Sequence, residues 1–139
     1  MSRIRGGCLC GAVRYLSKSE PVMTALCHCT HCQRQSGGAF SVNVAVAKGS
    51  LEFQGSEPAT YEDRGESGGK VLRRFCGKCG SSLLSEVEAT PTLDWLKAGT
   101  LDDTSWVQPQ ASIWCDSAQA WVVLPDALAK FPKGPPHTG

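Results

Sequence analysis

Residues 27–32 read Cys-His-Cys-Thr-His-Cys, which places three thiols within six positions. Three cysteines this close together cannot pair off as disulfides without leaving one over, but all three can bind one metal ion. Zinc takes four ligands in a tetrahedron, and a set of only three protein ligands leaves one position open for water or a substrate. This stretch therefore predicts a metal site with room for chemistry.

Length and charge narrow the class of protein. The 139 residues are enough to bury a hydrophobic core, and the formal net charge of +1 gives no electrostatic reason to expect nucleic acid as a partner. We find neither the apolar core of a signal peptide nor the roughly 20 apolar residues that cross a bilayer. We therefore expect a soluble, cytoplasmic protein that binds no membrane.

Eight cysteines in such a chain need an explanation. Stable disulfides are rare in a reducing compartment, where clustered cysteines more often bind metal or take part in catalysis. A secreted disulfide scaffold is the alternative interpretation. The spacings of these cysteines, however, are those of metal ligands.

Two cysteine pairs flank the opening stretch at a distance. Cys8 and Cys10 follow two glycines, and in an extended chain residues i and i+2 point to the same side. Cys76 and Cys79 are separated by two residues, which lets both thiols reach one ion. A C-x-x-C pair can also be a redox pair, but the βαβ context of a thioredoxin-like motif is missing. We interpret both pairs as metal ligands.

Without Cys115, seven cysteines fall into sets of two, three and two. The economical partition gives a four-cysteine cluster, closed around a structural zinc, and a three-cysteine cluster around a second zinc. The four-cysteine cluster is Cys8, Cys10, Cys76 and Cys79. The three-cysteine cluster is Cys27, Cys29 and Cys32. The alternative joins the two C-x-C pairs and places Cys32 with Cys76 and Cys79, which would separate it from a partner three residues away.

The three-cysteine cluster would be purely structural if His28, His31 or Cys115 supplied a fourth ligand. His28 should face away if Cys27 and Cys29 share one face, whereas His31 stays open as a ligand. With an open position, a thiolate-rich zinc favours another sulfur ligand over oxygen. We therefore expect this site to bind a thiol and to activate it by lowering its pKa.

Short apolar–polar alternations separated by turn residues predict a mostly-β domain. The clearest strand covers 39–47, and its small or polar second face suits an antiparallel sheet covered on one side. The segments 59–63 and 70–75 predict a hairpin. Further strands are predicted over 12–17, 22–26, 51–53, 81–87, 93–96 and 112–114.

Helix is expected to be scarce. Residues 29–36 could form a turn of helix before two glycines stop it, and 127–131 could form at most one more turn. We expect one zinc-binding domain over residues 1–131 and a flexible tail, rich in proline and glycine, over 132–139.

Three segments, taken in order, resemble one enzyme family. They are G-G-C-L-C-G-A-V-R-Y from Gly6, C-H-C-T-H-C-Q-R-Q-S-G-G-A-F from Cys27, and R-F-C-G-K-C-G-S-S-L from Arg74. The later segments 99–103 and 113–121 fit the same pattern. The chain thus resembles the glutathione-dependent formaldehyde-activating enzymes, a family that includes centromere protein V.

The resemblance implies a β-tent of antiparallel sheets with two zinc ions and little helix. In that family the four-cysteine cluster binds a structural zinc, and Cys27, Cys29 and Cys32 bind a catalytic zinc. The implied activity is that of a carbon–sulfur lyase, in which glutathione and formaldehyde form S-hydroxymethylglutathione. Arg34, Arg73 and Lys48 are the candidate cations for the two carboxylates of glutathione.

The chain departs from the family pattern at two positions. Ser112 stands where the family usually has a histidine, and Cys115 stands where an apolar residue is usual. Cys115-Asp116-Ser117 resembles the catalytic segment of methionine-R-sulfoxide reductases, so a thiol redox enzyme is an alternative, as is a buried structural role for Cys115. A non-catalytic zinc-binding module is the third interpretation.

Overall fold

The computed structural model describes residues 4–66 and 68–134. Strands make up 42% of the structure and helices 10%, so the predicted mostly-β fold is confirmed. In the described part of the chain, no helix has the length and apolar character needed to cross a membrane.

The strands of the described residues follow the predicted order closely. They are β1 (Arg5–Gly7), β2 (Val13–Ser17), β3 (Met23–Cys27), β4 (Ser41–Ala47), β5 (Leu51–Gly55), β6 (Ala59–Arg64), β7 (Lys70–Phe75), β8 (Ser82–Val87), β9 (Leu93–Lys97), β10 (Ala111–Ile113) and β11 (Ala129–Lys130). The predicted hairpin is formed by β6 and β7, which pair antiparallel.

The strands form two sheets. The smaller has the order β1-β2-β5, and the larger has the order β11-β10-β3-β4-β9-β8-β7-β6. Most neighbours are antiparallel, but β10 runs parallel to both β3 and β11. The larger sheet is therefore mixed at this edge, where a long connection returns the chain beside β3 in the same direction, and antiparallel elsewhere. The register pairs Ile113 with Cys27, the last residue of β3.

The main hydrophobic core joins side chains of both sheets. Its fully buried members include Val13 of β2, Val44 and Val46 of β4, and Leu96 of β9. The second face of β4 is buried as well, because Ser41, Asn43 and Ala45 are each 6% exposed or less. The expectation that one face of this strand meets solvent was wrong.

The helix α1 (Thr30–Ser36) lies between β3 and β4, as the sequence predicts. Its N-cap is Cys29, whose sulfur accepts a hydrogen bond from the Cys32 amide, and its C-cap is Gly37 in the left-handed conformation. Two 3₁₀ turns, Ala98–Thr100 and Cys115–Ser117, complete the helical structure of the described chain.

The segment 127–131 forms the short strand β11 rather than the predicted helical turn. The amides of Ala129 and Phe131 donate to the carbonyls of Gln110 and Ser112, at 3.2 and 2.9 Å. The free edge of β10 offers these acceptors, and an isolated helical turn would have few of its own. Of the predicted tail, 132–134 is described, and the carbonyl of Lys133 accepts a bond from the Trp114 amide. Residues 135–139 lie outside the described residues.

Candidate metal centres

The four-cysteine cluster joins the turn after β1 to the turn between β7 and β8. All four Sγ atoms lie within 4.8 Å of one another. The Cys10 sulfur is 3.6 Å from that of Cys8 and 3.8 Å from that of Cys76. A disulfide would need about 2.05 Å, whereas zinc–sulfur bonds of about 2.3 Å set tetrahedral ligands about 3.8 Å apart. The thiols thus have the spacing of metal ligands.

Both turns of this cluster depend on a glycine. Gly11 and Gly80 directly follow the second cysteine of their pairs and have φ angles of 81° and 80°. This left-handed conformation costs little for glycine alone. The two-residue spacing of Cys8 and Cys10 predicts that they lie together in an extended strand. In the structure they lie in a turn, which is closed by the hydrogen bond from the Gly11 amide to the Cys8 carbonyl. The expected proximity holds, with a different local conformation.

Hydrogen bonds reach the sulfurs of Cys8, Cys76 and Cys79 in this cluster. The amides of Val13 and Lys78 donate to the sulfurs of Cys8 and Cys76 at 3.2 and 3.4 Å. The hydroxyl of Ser81 lies 3.2 Å from the Cys79 sulfur. This contact is the main cause that lowers the pKa of Cys79 to about 5. Such contacts orient metal ligands and tune their basicity.

The three-cysteine cluster is built by one strand end and one helix start. Cys27 ends β3, Cys29 caps α1, and Cys32 lies in its first turn. The three Sγ atoms lie within 4.8 Å of one another, and all three residues are buried. Ile113 and Trp114 pack against them as a separate small cluster. This cluster is thus enclosed, whereas Cys10 of the other cluster is exposed.

Across the residues that the structure describes, no fourth cysteine, histidine or carboxylate joins the three-cysteine cluster. The Nε2 of His28 lies 2.7 Å from the Ser112 hydroxyl, and its ring packs on Phe40. His31 instead contacts Asp63, with 2.8 Å between Nδ1 and Oδ2. The Cys115 thiol donates to the Ser112 carbonyl at 3.4 Å. These residues are engaged elsewhere, so the cluster contains three candidate ligands among the described residues.

Two buried cations lie near the three thiols. Arg73 is 4% exposed, and its Nη1 lies 3.9 Å from the Cys32 sulfur. Lys97 is 8% exposed and donates from Nζ to the Asn43 side-chain oxygen at 2.7 Å. Burial lowers the pKa of Lys97, and the charges of the three thiols oppose that shift. Of these two side chains, the Arg73 guanidinium is the one in contact with a thiol of the cluster.

Hydrogen bonds among the three thiols favour one thiolate in particular. Bonds from Cys27 and Cys29 lower the pKa of Cys32 far below that of a free cysteine. The same bonds raise the pKa of Cys27. A cation beside Cys32, such as Arg73, therefore lies beside the thiol that most readily carries negative charge.

Trp114, which packs against the three-cysteine cluster, has a backbone that is unusual for its type. Its φ of 57° is the one positive value found among non-glycine residues of the described chain. Such a conformation costs of order 1 kcal/mol for a bulky residue and concentrates at functional sites. The surrounding contacts hold it, since its amide donates to the Lys133 carbonyl at 3.0 Å.

A groove of about 620 Å³ runs along α1. The residues that define it are Thr30, Gln33, Arg34, Gly37, Gln119 and Trp121. Its size is within the range of about 300–1,000 Å³ of small-molecule sites. Gln33 ties the groove to the cluster, because its Nε2 donates to the carbonyls of His28 and Ser117 at 2.8 and 2.9 Å.

The three candidate cations have different surroundings. Lys48 pairs with Glu86 and Asp94, and Arg73 pairs with Asp63, so neither is free to hold a carboxylate. Arg34 is exposed at the groove and makes no ion pair with any residue that the structure describes.

Several residues near the clusters were not found from the sequence. Lys97 follows an alternating strand pattern and carries no motif that marks it as buried. Asp63 and Asn43 likewise have partners elsewhere in the sequence. Asp63 bonds Arg73, 10 residues away, and Asn43 bonds Lys97, 54 residues away. From the sequence, only the spacing of the cysteines predicted residues of the two clusters.

Comparison with known proteins decides the family. The family described as glutathione-dependent formaldehyde-activating enzyme matches residues 3–117, well over half of the chain. The chain belongs to this family. The predicted membership in the glutathione-dependent formaldehyde-activating family is thus confirmed. The matched span includes all seven cysteines of the two clusters and ends before Gln119 and Trp121 of the groove.

A solved structure supports the fold independently. The crystal structure of a Rhodobacter sphaeroides protein aligns with a TM-score of 0.59, covering 76% of this chain and 92% of that one. The sequence identity is 18%, so this likeness shows a shared fold. None of the curated proteins matches the chain.

Proposed function

We propose that this protein is a zinc-dependent carbon–sulfur lyase that binds glutathione or a similar thiol. It would form or cleave an aldehyde adduct of that thiol, such as S-hydroxymethylglutathione. The observation that carries the proposal is the three-cysteine cluster, in which Cys27, Cys29 and Cys32 converge and the described residues provide no fourth donor. Membership in the formaldehyde-activating family supports the reaction type.

Two zinc ions per chain fit the donor sets. We assign a structural zinc to Cys8, Cys10, Cys76 and Cys79, where sulfur separations of 3.6 and 3.8 Å suit a tetrahedral thiolate site. We assign a catalytic zinc to Cys27, Cys29 and Cys32. Zinc bound there would lower the pKa of a thiol in its open position and hold that thiol as a nucleophile. The reducing cytoplasm, which we propose as the location, keeps such thiols available.

The residues around the three-cysteine cluster suit this chemistry. Ile113 and Trp114 cover the sulfurs with apolar surface, which limits access of water to the site. Arg73 and Lys97 offset the negative charge of the thiolates. Gln33 holds α1 against the segment that follows β10, through the Ser117 carbonyl. The ligand-bearing helix is thus fixed before any substrate arrives.

The groove beside α1 is the proposed place for the rest of the thiol substrate. Glutathione carries two carboxylates, and Arg34 is an exposed guanidinium with no acidic partner within the described chain. Trp121, which is 70% exposed, offers an aromatic surface for the peptide. Because Trp121 lies outside the matched family span, this wall of the groove is where we expect substrate preference to be set.

The proposed reaction balances without any oxidant or reductant. The thiol sulfur forms a bond to the aldehyde carbon, the carbon–oxygen double bond becomes single, and the thiol proton ends on that oxygen. Cleavage is the reverse. Neither direction needs a redox-active cysteine, so Cys115 has no role in it.

The test compares Cys29→Ser with Cys115→Ser. Serine is a good N-cap, so Cys29→Ser keeps an acceptor for the Cys32 amide while it removes a soft metal ligand. We expect it to lose one of two zinc ions and to abolish glutathione binding and adduct formation, with Cys115→Ser unchanged. Full glutathione binding by Cys29→Ser would contradict the proposal. Reduction of methionine sulfoxide by the wild-type protein, if Cys115→Ser abolishes it, would also contradict the proposal and would favour the redox enzyme.

A further inference from the structure

Arg73 is the cation that most directly contacts a cysteine of the three-cysteine cluster. It lies on β7, 41 positions from Cys32 in sequence, yet its Nη1 is 3.9 Å from the Cys32 sulfur. Its side chain is 5% exposed, so solvent does little to screen this contact. The candidate role as a surface anchor for a carboxylate therefore does not suit Arg73.

Asp63 fixes the orientation of this guanidinium. Its Oδ2 accepts from the Arg73 Nε at 2.9 Å and lies 2.8 Å from the His31 Nδ1. Asp63 belongs to β6, the strand paired with β7, and its side chain is 14% exposed. The Nε of Arg73 is thus held by the carboxylate while Nη1 is left for the sulfur.

The charge of the site explains why such a cation is needed. One zinc ion and three thiolates together carry about −1. An uncompensated buried charge is strongly unfavourable, and a nearby buried cation offsets that cost. Asp63 holds the Arg73 guanidinium in place through Nε, and the buried Lys97 is engaged with the Asn43 side chain.

We propose that Arg73, oriented by Asp63, is a positioning residue that neutralises Cys32 and thereby sets the metal affinity of the three-cysteine cluster. This inference rests on the proposed function, because it takes that cluster to hold zinc. It adds a residue outside the cysteine motifs that determines how firmly the catalytic ion is bound. The four-cysteine cluster, with its turn amides and exposed Cys10, does not depend on it.

The experiment measures the affinity of both sites for zinc by competition with a chelator, and for cobalt(II) by the sulfur-to-metal charge-transfer band. The variants are Arg73→Met, Arg73→Lys and Asp63→Asn. The control is Arg74→Met, the same change at the next residue of β7, which breaks the ion pair with Glu86 and removes no hydrogen bond to a cysteine of the described chain. The four-cysteine cluster is an internal control within each protein.

We expect Arg73→Met to weaken the three-cysteine site about 10- to 100-fold, as loss of an outer-shell partner does, and to shift its cobalt band. Arg73→Lys should retain more affinity than Arg73→Met because it keeps the charge. Asp63→Asn should fall between wild type and Arg73→Met. The four-cysteine site should be unchanged in all three, and Arg74→Met should match wild type at both sites.

Unchanged affinity and spectrum in Arg73→Met would overturn the inference, as would an equal loss at both sites. If Arg73→Met does not fold, Asp63→Asn and Arg73→Lys decide by the same criterion. A wild-type protein that binds only one metal ion contradicts the proposed function itself. A wild type with two ions and an insensitive Arg73→Met contradicts this inference alone.

Discussion

The two cysteine clusters use the same ligand atom in opposite surroundings. The four-cysteine cluster lies in two glycine-containing turns, with Cys10 exposed and Cys76 in the main core. The three-cysteine cluster is buried throughout, at a strand end and a helix start, beside the cations Arg73 and Lys97. The structure brings four thiols together in the first cluster and three in the second.

This difference suggests how one chain separates stability from chemistry. A cluster of four thiols in two turns can close fully around an ion, and the ion then stabilises the turns. A cluster on rigid elements holds its geometry without a fourth ligand, and the charges around it can be tuned. Each prediction below perturbs one side of this comparison.

Cys76→Ala should have the largest effect. It removes one ligand of the closed site and opens a core position that is 1% exposed. Structural zinc supplies about 10–16 kcal/mol in zinc-finger peptides, so we expect the variant to be largely unfolded by circular dichroism. The matched change Cys32→Ala at the open site should leave a cooperative thermal transition. A folded Cys76→Ala protein with two zinc ions would contradict the structural role of its cluster.

Ser112→Ala should destabilise the fold by about 1–3 kcal/mol, the cost of an unsatisfied buried polar group. Ser112 is fully buried and is the hydrogen-bond partner of His28 Nε2, while the His28 Nδ1 is buried without a partner in the described structure. Thermal denaturation measures the effect. Ser56→Ala, at an exposed position with no side-chain hydrogen bond in the described structure, should melt within error of wild type. Equal melting of Ser112→Ala and wild type would show that His28 does not need this bond.

Arg34→Gln should weaken glutathione binding about tenfold, the value of one charge-assisted hydrogen bond. Binding of 2-mercaptoethanol, which has no carboxylate, should be unaffected because the open metal position is intact. Arg64→Gln is the control, since Arg64 is also exposed but bonds the Gly68 carbonyl away from the groove. An equal loss of affinity for both thiols would place the defect at the metal rather than in the groove.

Ser81→Ala should have the smallest effect, confined to the four-cysteine cluster. The hydroxyl of Ser81 accepts from the Leu9 amide and contacts the Cys79 sulfur, which links the two turns. Its loss should raise the pKa of Cys79 from about 5. Above that pH the wild-type thiol is already ionised, so at pH 7 the variant should release up to about one more proton per zinc bound. Calorimetry in buffers of different ionisation enthalpy measures this number, and an unchanged proton count would show that Ser81 does not set the Cys79 pKa.

The cysteine spacing predicted which thiols lie together because ligand spacing is a local property of the chain. Cys29 and Cys32 are one helical turn apart, and Cys76 and Cys79 flank a turn that Gly80 completes. The same local logic gave the correct neighbours for Cys8 and Cys10 with the wrong conformation. A two-residue spacing allows both an extended strand and a tight turn.

What could not be predicted depends on contacts distant in sequence. Ala129–Lys130 has no strand propensity, and it forms β11 only because β10 presents a free edge. The contact of Arg73 with Cys32 joins residues 41 positions apart in sequence, which no local pattern encodes. For that reason, the cysteine motif at residues 27–32 does not indicate which charged side chains surround the three-cysteine cluster.

Cadmium NMR of the protein loaded with two cadmium ions tests the central claim most directly, since each site gives its own resonance. On addition of glutathione, the resonance of the four-cysteine cluster should stay fixed. The resonance of the three-cysteine cluster should move toward it as a fourth sulfur is bound, and Cys29→Ser should abolish that movement. If neither resonance moves when glutathione is added, the result would contradict an open thiol-binding site at Cys27, Cys29 and Cys32.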